Sequence, residues 1–225
     1  MGENHKDHLE KAIESVVGQN VNSWEIIVVD DTKEGRLAEY GAFPYQERYP
    51  YVKWLKAPQP GNVSASRNYG VRHSRGKYLC FLDADDYLLQ DFLSATLLII
   101  EKCNEDSVLV YTDWLEMPAG KPHKAESWRV PRLLDHALFT VTFLVPRTAF
   151  DHVGGFDENL PLWEDWDFTI KLGLSGYVGV RVPQVRYAYQ YDTGKRREES
   201  IARQDELLKI IRQRYAGAVE RPRRG

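Results

Sequence analysis

The chain has 225 residues, 43% hydrophobic and 28% charged, the make-up of an ordinary globular fold with enough apolar material for one sizeable core. Its 30 basic and 33 acidic residues nearly cancel, so whole-molecule charge gives no reason to expect nucleic acid as a partner. Two cysteines are too few for a disulfide framework or a zinc site, no apolar run approaches the about 20 residues that cross a bilayer, and the polar start "MGENHKDHLEK" lacks the apolar centre of a signal peptide. The expectation is a cytoplasmic protein. Its basic end, "ERPRRG", reads either as a peripheral contact with an acidic membrane face or as a solvated terminus.

Leu9, Ala12, Ile13, Val16 and Val17 recur at helical spacing, which predicts an amphipathic helix over 7–19. "EIIVVD" (25–30) is a β-branched run without polar alternation, as in a strand buried on both faces. A polar stretch with Pro and Tyr leads to a second strand over 51–55. "PQPGNVSASRNYGVRHSRG" opens on Pro and Gly, offers Asn62 or Ser64 as an N-cap and closes on Gly76, so it reads as a loop and then a helix. Strands over 78–82 and 107–112 flank a helix over 90–103. The Pro-rich stretch 114–131 is either a mobile excursion beside a site or an idle surface loop. A strand over 140–145, helices over 147–153 and 164–174, strands over 178–182 and 185–191 and a charged helix over 196–215 complete the chain. This alternation predicts a single α/β domain over 1–225, a mostly parallel sheet flanked by helices, with no internal repeat.

Two strands end in acid. "YLCFLDADD" (78–86) runs from an apolar strand into Asp83, Asp85 and Asp86, and "EIIVVDD" ends in Asp30 and Asp31. In open α/β sheets ligands bind beyond the carboxyl ends of the strands, where these groups stand. Carboxylates so close repel one another unless a cation or a positively charged group gathers them, and hard oxygen ligands suit Mg²⁺ or Mn²⁺. The alternative is that "DADD" is a turn capping the next helix. A third acidic segment, Glu164 and Asp165, opens a predicted helix, where acids suit the helix dipole whatever the function.

"EIIVVDD", "PGNVSASRNYGVRHSRGKYLCFLDADD" and "GGFDENLPLWEDWDF", in this order and spacing, resemble the family 2 glycosyltransferases with their GT-A (nucleotide-diphospho-sugar transferase, Rossmann-like) fold. The resemblance runs from about Leu9 to Tyr191. It implies an inverting, metal-dependent transfer of sugar from a nucleotide-sugar, with UDP as the expected nucleotide, to a hydroxyl-bearing glycan or lipid-linked glycan. By it, Asp30 and Asp31 hold the base, and Arg67 and Asn68 help to position the nucleotide. Asp83 faces the ribose side and shares in holding the metal, and Asp85 holds the metal on the donor diphosphate. Asp165 is the catalytic base, removing the acceptor proton as the new bond forms, with Glu164 orienting the acceptor or the base. Trp163 or Trp166 stacks on a sugar ring or packs in the core. The nucleotide-binding part spans about 9–113, the acceptor-side part about 114–192, and a C-terminal helix and basic tail 195–225.

Two features depart from the family pattern. Nothing apolar precedes the helix at Leu9, where the family has a central first strand, so either the chain begins earlier or a strand is lost and its neighbours need new backbone partners. Near the C-terminus, where the family often has a His, "RYAYQYDTGKRREES" offers tyrosines, Asp192, Lys195 and Arg196, and its "GKRR" either closes over a diphosphate or opens a solvated helix. Two alternatives stay open: a degenerate domain that binds without turnover, and a nucleotidyltransferase, although no Gly-rich loop bearing Arg and Lys follows a first strand.

Overall fold

The computed structural model describes residues 5–32, 47–103, 106–191 and 195–218; the polar stretch 33–46, Asp192 and the basic end "ERPRRG" lie outside the described residues. In chain order the elements are α1 (His5–Val17), β1 (Ile26–Asp30), β2 (Val52–Lys56), α2 (Val63–Arg72), β3 (Tyr78–Cys80), β4 (Tyr87–Leu88), α3 (Phe92–Lys102), β5 (Val108–Met117), β6 (Lys121–His123), α4 (Val130–Leu133), β7 (Phe143–Pro146), α5 (Arg147–His152), α6 (Glu164–Leu174), β8 (Val178–Gln190), α7 (Lys195–Ala202) and α8 (Gln204–Tyr215). The class is α/β, with helices flanking the sheet. Asn62 is the N-cap of α2, its side chain accepting the Ala65 N–H at 3.0 Å.

Strand direction differs from the expectation of a mostly parallel sheet. β1 and β2 pair in parallel, as do β5 and β8, whereas β3 with β7, β7 with β5, β4 with β8 and β6 with β5 are antiparallel. A run of β-branched residues says nothing about which way the neighbour runs, and in β1, expected to be buried on both faces, Ile26 to Val29 are only half-buried because β1 pairs with β2 alone among the described residues. Val110, fully buried, lies between antiparallel Leu144 and parallel Val180. The two late strands are one, β8, whose register slips between Val182 and Val185. Pro183 has no N–H for a ladder, so it sits in that slip rather than ending the strand. The terminal helix divides at Arg203 into α7 and α8.

The larger sheet has the order β3-β7-β5-β8-β4, with β6 on β5, and β1-β2 form a separate pair. Among the described residues no ladder joins the two sheets. Two helices hold them together instead. α1 packs Ile13 against Tyr49 and Val52 on one side and Val16 against Leu88 and Phe92 on the other. Its Ser15 hydroxyl accepts the Leu88 N–H at 3.0 Å, and the Gln19 amide accepts from Leu93 at 3.0 Å and donates to the Leu89 carbonyl at 2.9 Å. α2 lies so close on β1 that a Cβ at Gly70 would stand 3.3 Å from Val29.

The Pro-rich stretch after Trp114 is tied to the sheet. Asp113 accepts the Ala125 N–H at 3.0 Å while Arg181 grips both its oxygens at 2.7 Å, and the Tyr111 hydroxyl donates to the Glu126 carbonyl at 2.7 Å.

Candidate functional site

Three phenylalanines bring the acidic segments to one place. Phe81, two residues before Asp83, meets Phe156 edge-on at 4.9 Å and Phe168 at 6.4 Å, and Phe156 lies 4.6 Å from Phe168. Phe168 is one helical turn beyond Glu164. Anchoring these rings, each pair contributing about 0.5–1.5 kcal/mol beyond its buried area, therefore sets the "DADD" turn against the first turn of α6.

Between them lies Arg67, only 12% of its side chain exposed. One nitrogen donates to Asp83 at 2.6 Å and another to Glu164 at 2.9 Å, and the guanidinium lies 5.3 Å from the centre of the Phe156 ring. Burial works against its charge, but Asp83 and Glu164 outweigh it and hold the guanidinium firmly protonated. The cation that gathers these carboxylates is thus an arginine. Arg67, expected to help position the nucleotide, is bonded to two acids, because a forked planar donor fits two carboxylates at once.

Glu164 is 4% exposed and carries a second guanidinium, Arg196 of α7, at 3.2 and 3.0 Å from its two oxygens. Both of its oxygens are thus engaged by guanidinium groups. Asp165 next to it accepts the Trp166 N–H at 2.8 Å. Its carboxyl is pushed up to about 6, first by burial and then by the Glu164 charge, against the opposing pull of Arg67.

The "DADD" segment is both a turn and a rim. The Asp86 N–H donates to the Asp83 carbonyl at 3.0 Å, and Asp85 stands exposed. Asp86, 2% exposed, accepts the Gln190 N–H at 2.7 Å through one oxygen, and its other oxygen is buried with no hydrogen-bond partner among the described residues. Burial first, then the charges of Asp83 and Asp85, push its carboxyl up to about 9, so it is a neutral anchor tying the turn to the end of β8. Asp30 and Asp31 end β1. Asp30 accepts from the Thr32 N–H and hydroxyl at 3.0 and 2.7 Å, and Asp31 accepts from the Gly61 N–H and the Ser66 hydroxyl, both at 2.8 Å, one residue before Arg67.

Asn68 sits differently from the expectation of a nucleotide contact. Its amide accepts the Phe156 N–H at 3.0 Å and donates to the Phe156 carbonyl and the Glu158 carboxylate at 2.9 and 2.8 Å, so it holds the "GGFDE" loop. Gly155 completes this lock: at φ +66, a Cβ would lie 2.7 Å from both Asn68 Oδ1 and Phe150. Gly155→Ala is expected to cost about 2–4 kcal/mol in urea denaturation, from strained backbone plus overpacking. Gly154→Ala, where nothing lies within 4 Å of the added carbon, is expected to cost only the about 1–2 kcal/mol of left-handed backbone.

Trp166 is a core residue, its indole donating to the Leu133 carbonyl at 2.6 Å, and Trp163 donates to Ser200 of α7 at 2.7 Å. Asp167, wholly buried, is taken by Arg214 at 2.8 Å and Tyr215 at 2.6 Å and belongs to the packing of α8. Sequence reasoning assigned no role to Tyr189. Its phenol is pushed up to about 12 by burial and by Asp86, Asp83 and Asp165, so it stays protonated. Its place on the strand face shared with Tyr187 and Tyr191, two residues apart each way, was the available signal.

The glycosyl transferase family 2 model matches residues 3–155, which takes in "EIIVVDD", "SASRN" and "DADD" and stops short of Glu164. An uncharacterised glycosyltransferase of Rickettsia typhi is 27% identical over 181 residues, 75% of this chain and 55% of that protein. The minor teichoic acid biosynthesis protein GgaB of Bacillus subtilis is 28% identical over 169 residues, 70% of this chain and 19% of its own length. The chain therefore spans about half or less of these relatives. S. aureus TarS 1-349 in complex with UDP-GlcNAc superposes with a TM-score of 0.74 at 17% identity, over 93% of this chain and 62% of that one, a likeness of fold. With the family model covering more than half of its residues, the chain belongs to glycosyl transferase family 2.

Proposed function

We propose that the chain carries an inverting transfer of sugar from a UDP-sugar to a hydroxyl of a glycan or lipid-linked glycan, with Mg²⁺ or Mn²⁺ as its metal. One observation carries this reading: acids from separate segments converge on one guanidinium, Asp83 and Glu164 on Arg67, with Asp165 beside them. The UDP-GlcNAc bound to TarS supports the donor class, and the name of GgaB supports a polymer as acceptor.

Asp85 and Asp83 are the residues that would hold the metal. Among the described residues no group of three or more His, Cys, Asp or Glu forms a cage. That suits Mg²⁺ or Mn²⁺, commonly held by one or two carboxylates with phosphates and water completing the shell. When bound, the metal offsets negative charge developing on the leaving diphosphate. Asp165 accepts the proton of the acceptor hydroxyl as its oxygen attacks the anomeric carbon, on the face opposite the diphosphate. A single displacement of this kind inverts the configuration. Family membership leaves the nucleotidyltransferase alternative without support, whereas the break between the two sheets favours a second reading, nucleotide binding without turnover.

Calorimetric titration with UDP and with UDP-GlcNAc, with and without Mn²⁺, separates these readings. Mn²⁺ is expected to tighten binding by about tenfold or more, roughly 1.4 kcal/mol, and Asp85→Ala to abolish that gain. Binding without release of UDP from any UDP-sugar and acceptor tried supports the second reading, and binding indifferent to both Mn²⁺ and Asp85 ends the metal assignment.

A further inference from the structure

We propose that Arg196 is a positioning residue of the catalytic centre: it fixes the Glu164 carboxylate beside Asp165 and thereby makes α7 part of the active site. The proposal rests on the reading of Asp165 as base. Two carboxylates, Asp83 and Glu164, share the single charge of Arg67, and Arg196 supplies the second positive charge, bonded to both oxygens of Glu164 at 3.2 and 3.0 Å. α7 is held there by independent contacts. Trp163, the residue before Glu164, donates to Ser200 at 2.7 Å, and the Arg197 guanidinium lies 3.5 Å from the centre of the Tyr191 ring.

Among the described residues the charged and titratable groups acting on Asp165 are Glu164 of α6, Arg67 of α2, Asp83 after β3 and Tyr189 of β8. Of these, Glu164 raises its proton affinity most after burial itself. A guanidinium that offsets Glu164 therefore eases the ionisation of Asp165, and its removal makes Asp165 harder to ionise. Arg196 is about half exposed, its side chain at 51%, so it is spare to the core and its effect is open to screening by salt.

The test follows the Asp165 carboxyl directly by NMR, in protein with ¹³C-labelled aspartate, the signal being identified by its loss in Asp165→Asn. Arg196→Met is expected to raise the titration midpoint by about half a unit or more, Arg196→Lys to restore most of the shift, and Ser200→Ala to move it the same way by less. An unchanged midpoint in a folded Arg196→Met protein overturns the proposal. Should that variant fail to fold, Arg196→Gln is followed in its place, and an unchanged midpoint there overturns the proposal. If Asp165→Asn still transfers sugar while Arg196→Met shifts the midpoint, the base assignment fails and the placement of Arg196 stands.

Discussion

Asp165→Asn is expected to bind UDP within a few-fold of the wild type and to lower sugar transfer by about 10²–10⁴-fold, the range covered by loss of a general base. Asparagine has the shape of aspartate and keeps the acceptor for the Trp166 N–H, so α6 retains its first turn. What is lost is the capacity to take a proton. The same residue predicts the pH profile. Its carboxyl is pushed up to about 6, above the ordinary aspartate value of about 4, so the ionised form that accepts a proton disappears earlier as pH falls. The rate should be level above neutral pH and fall about tenfold for each unit below about 6. Steady-state rates between about pH 4.5 and 8 check this. Full activity in Asp165→Asn, or a profile flat across that range, would remove Asp165 from the role.

Arg67→Met is expected to destabilise the fold by about 3–5 kcal/mol, the cost of removing one partner from a buried ionic cluster, and to abolish transfer with it. Glu164 is almost wholly buried and would keep only Arg196, and Asp83 would lose its bond at 2.6 Å. Arg67→Lys should recover only part of the loss, because a single ammonium lacks the fork that spans two carboxylates. Urea unfolding midpoints at neutral pH measure both. A methionine variant as stable as the wild type would mean that the phenylalanine cluster alone holds the two acidic segments together.

These two residues do different work. Arg67 assembles the site by joining α2, the "DADD" turn and α6, while Asp165 stands beside that assembly with its proton affinity set by it. The lock of Asn68 and Gly155 on the "GGFDE" loop places Phe156 under Arg67, which links the expected loss of stability in Gly155→Ala to the same site.

Much of the architecture was legible locally. The spacing of Trp166, Ile170 and Leu174 and the acids at its start predict a helix over 164–174, and α6 is Glu164–Leu174. Asn62 as a cap and the strand at β1 were equally readable, since capping and β-branched runs are written in neighbouring residues, although Ile26 to Val29 are only half-buried. Strand direction was not legible, and the two strands read over 178–182 and 185–191 are one, β8, that only slips in register. The "DADD" turn showed where carboxylates would stand, but not that Asp86 would be buried and neutral while Asp85 stays exposed.

Residue order alone settled the kind of most elements and the acidic strand termini, because periodicity, capping and turn chemistry act over a few positions. Which acid is paired, which is neutral and which titrates near neutral pH was decided only by the folded chain. Arg67 meets Glu164 across 97 positions, and Arg196 reaches the same carboxylate from the far side. Desolvation and charge separation depend on distances that packing of Phe81, Phe156 and Phe168 creates, and no local pattern encodes them.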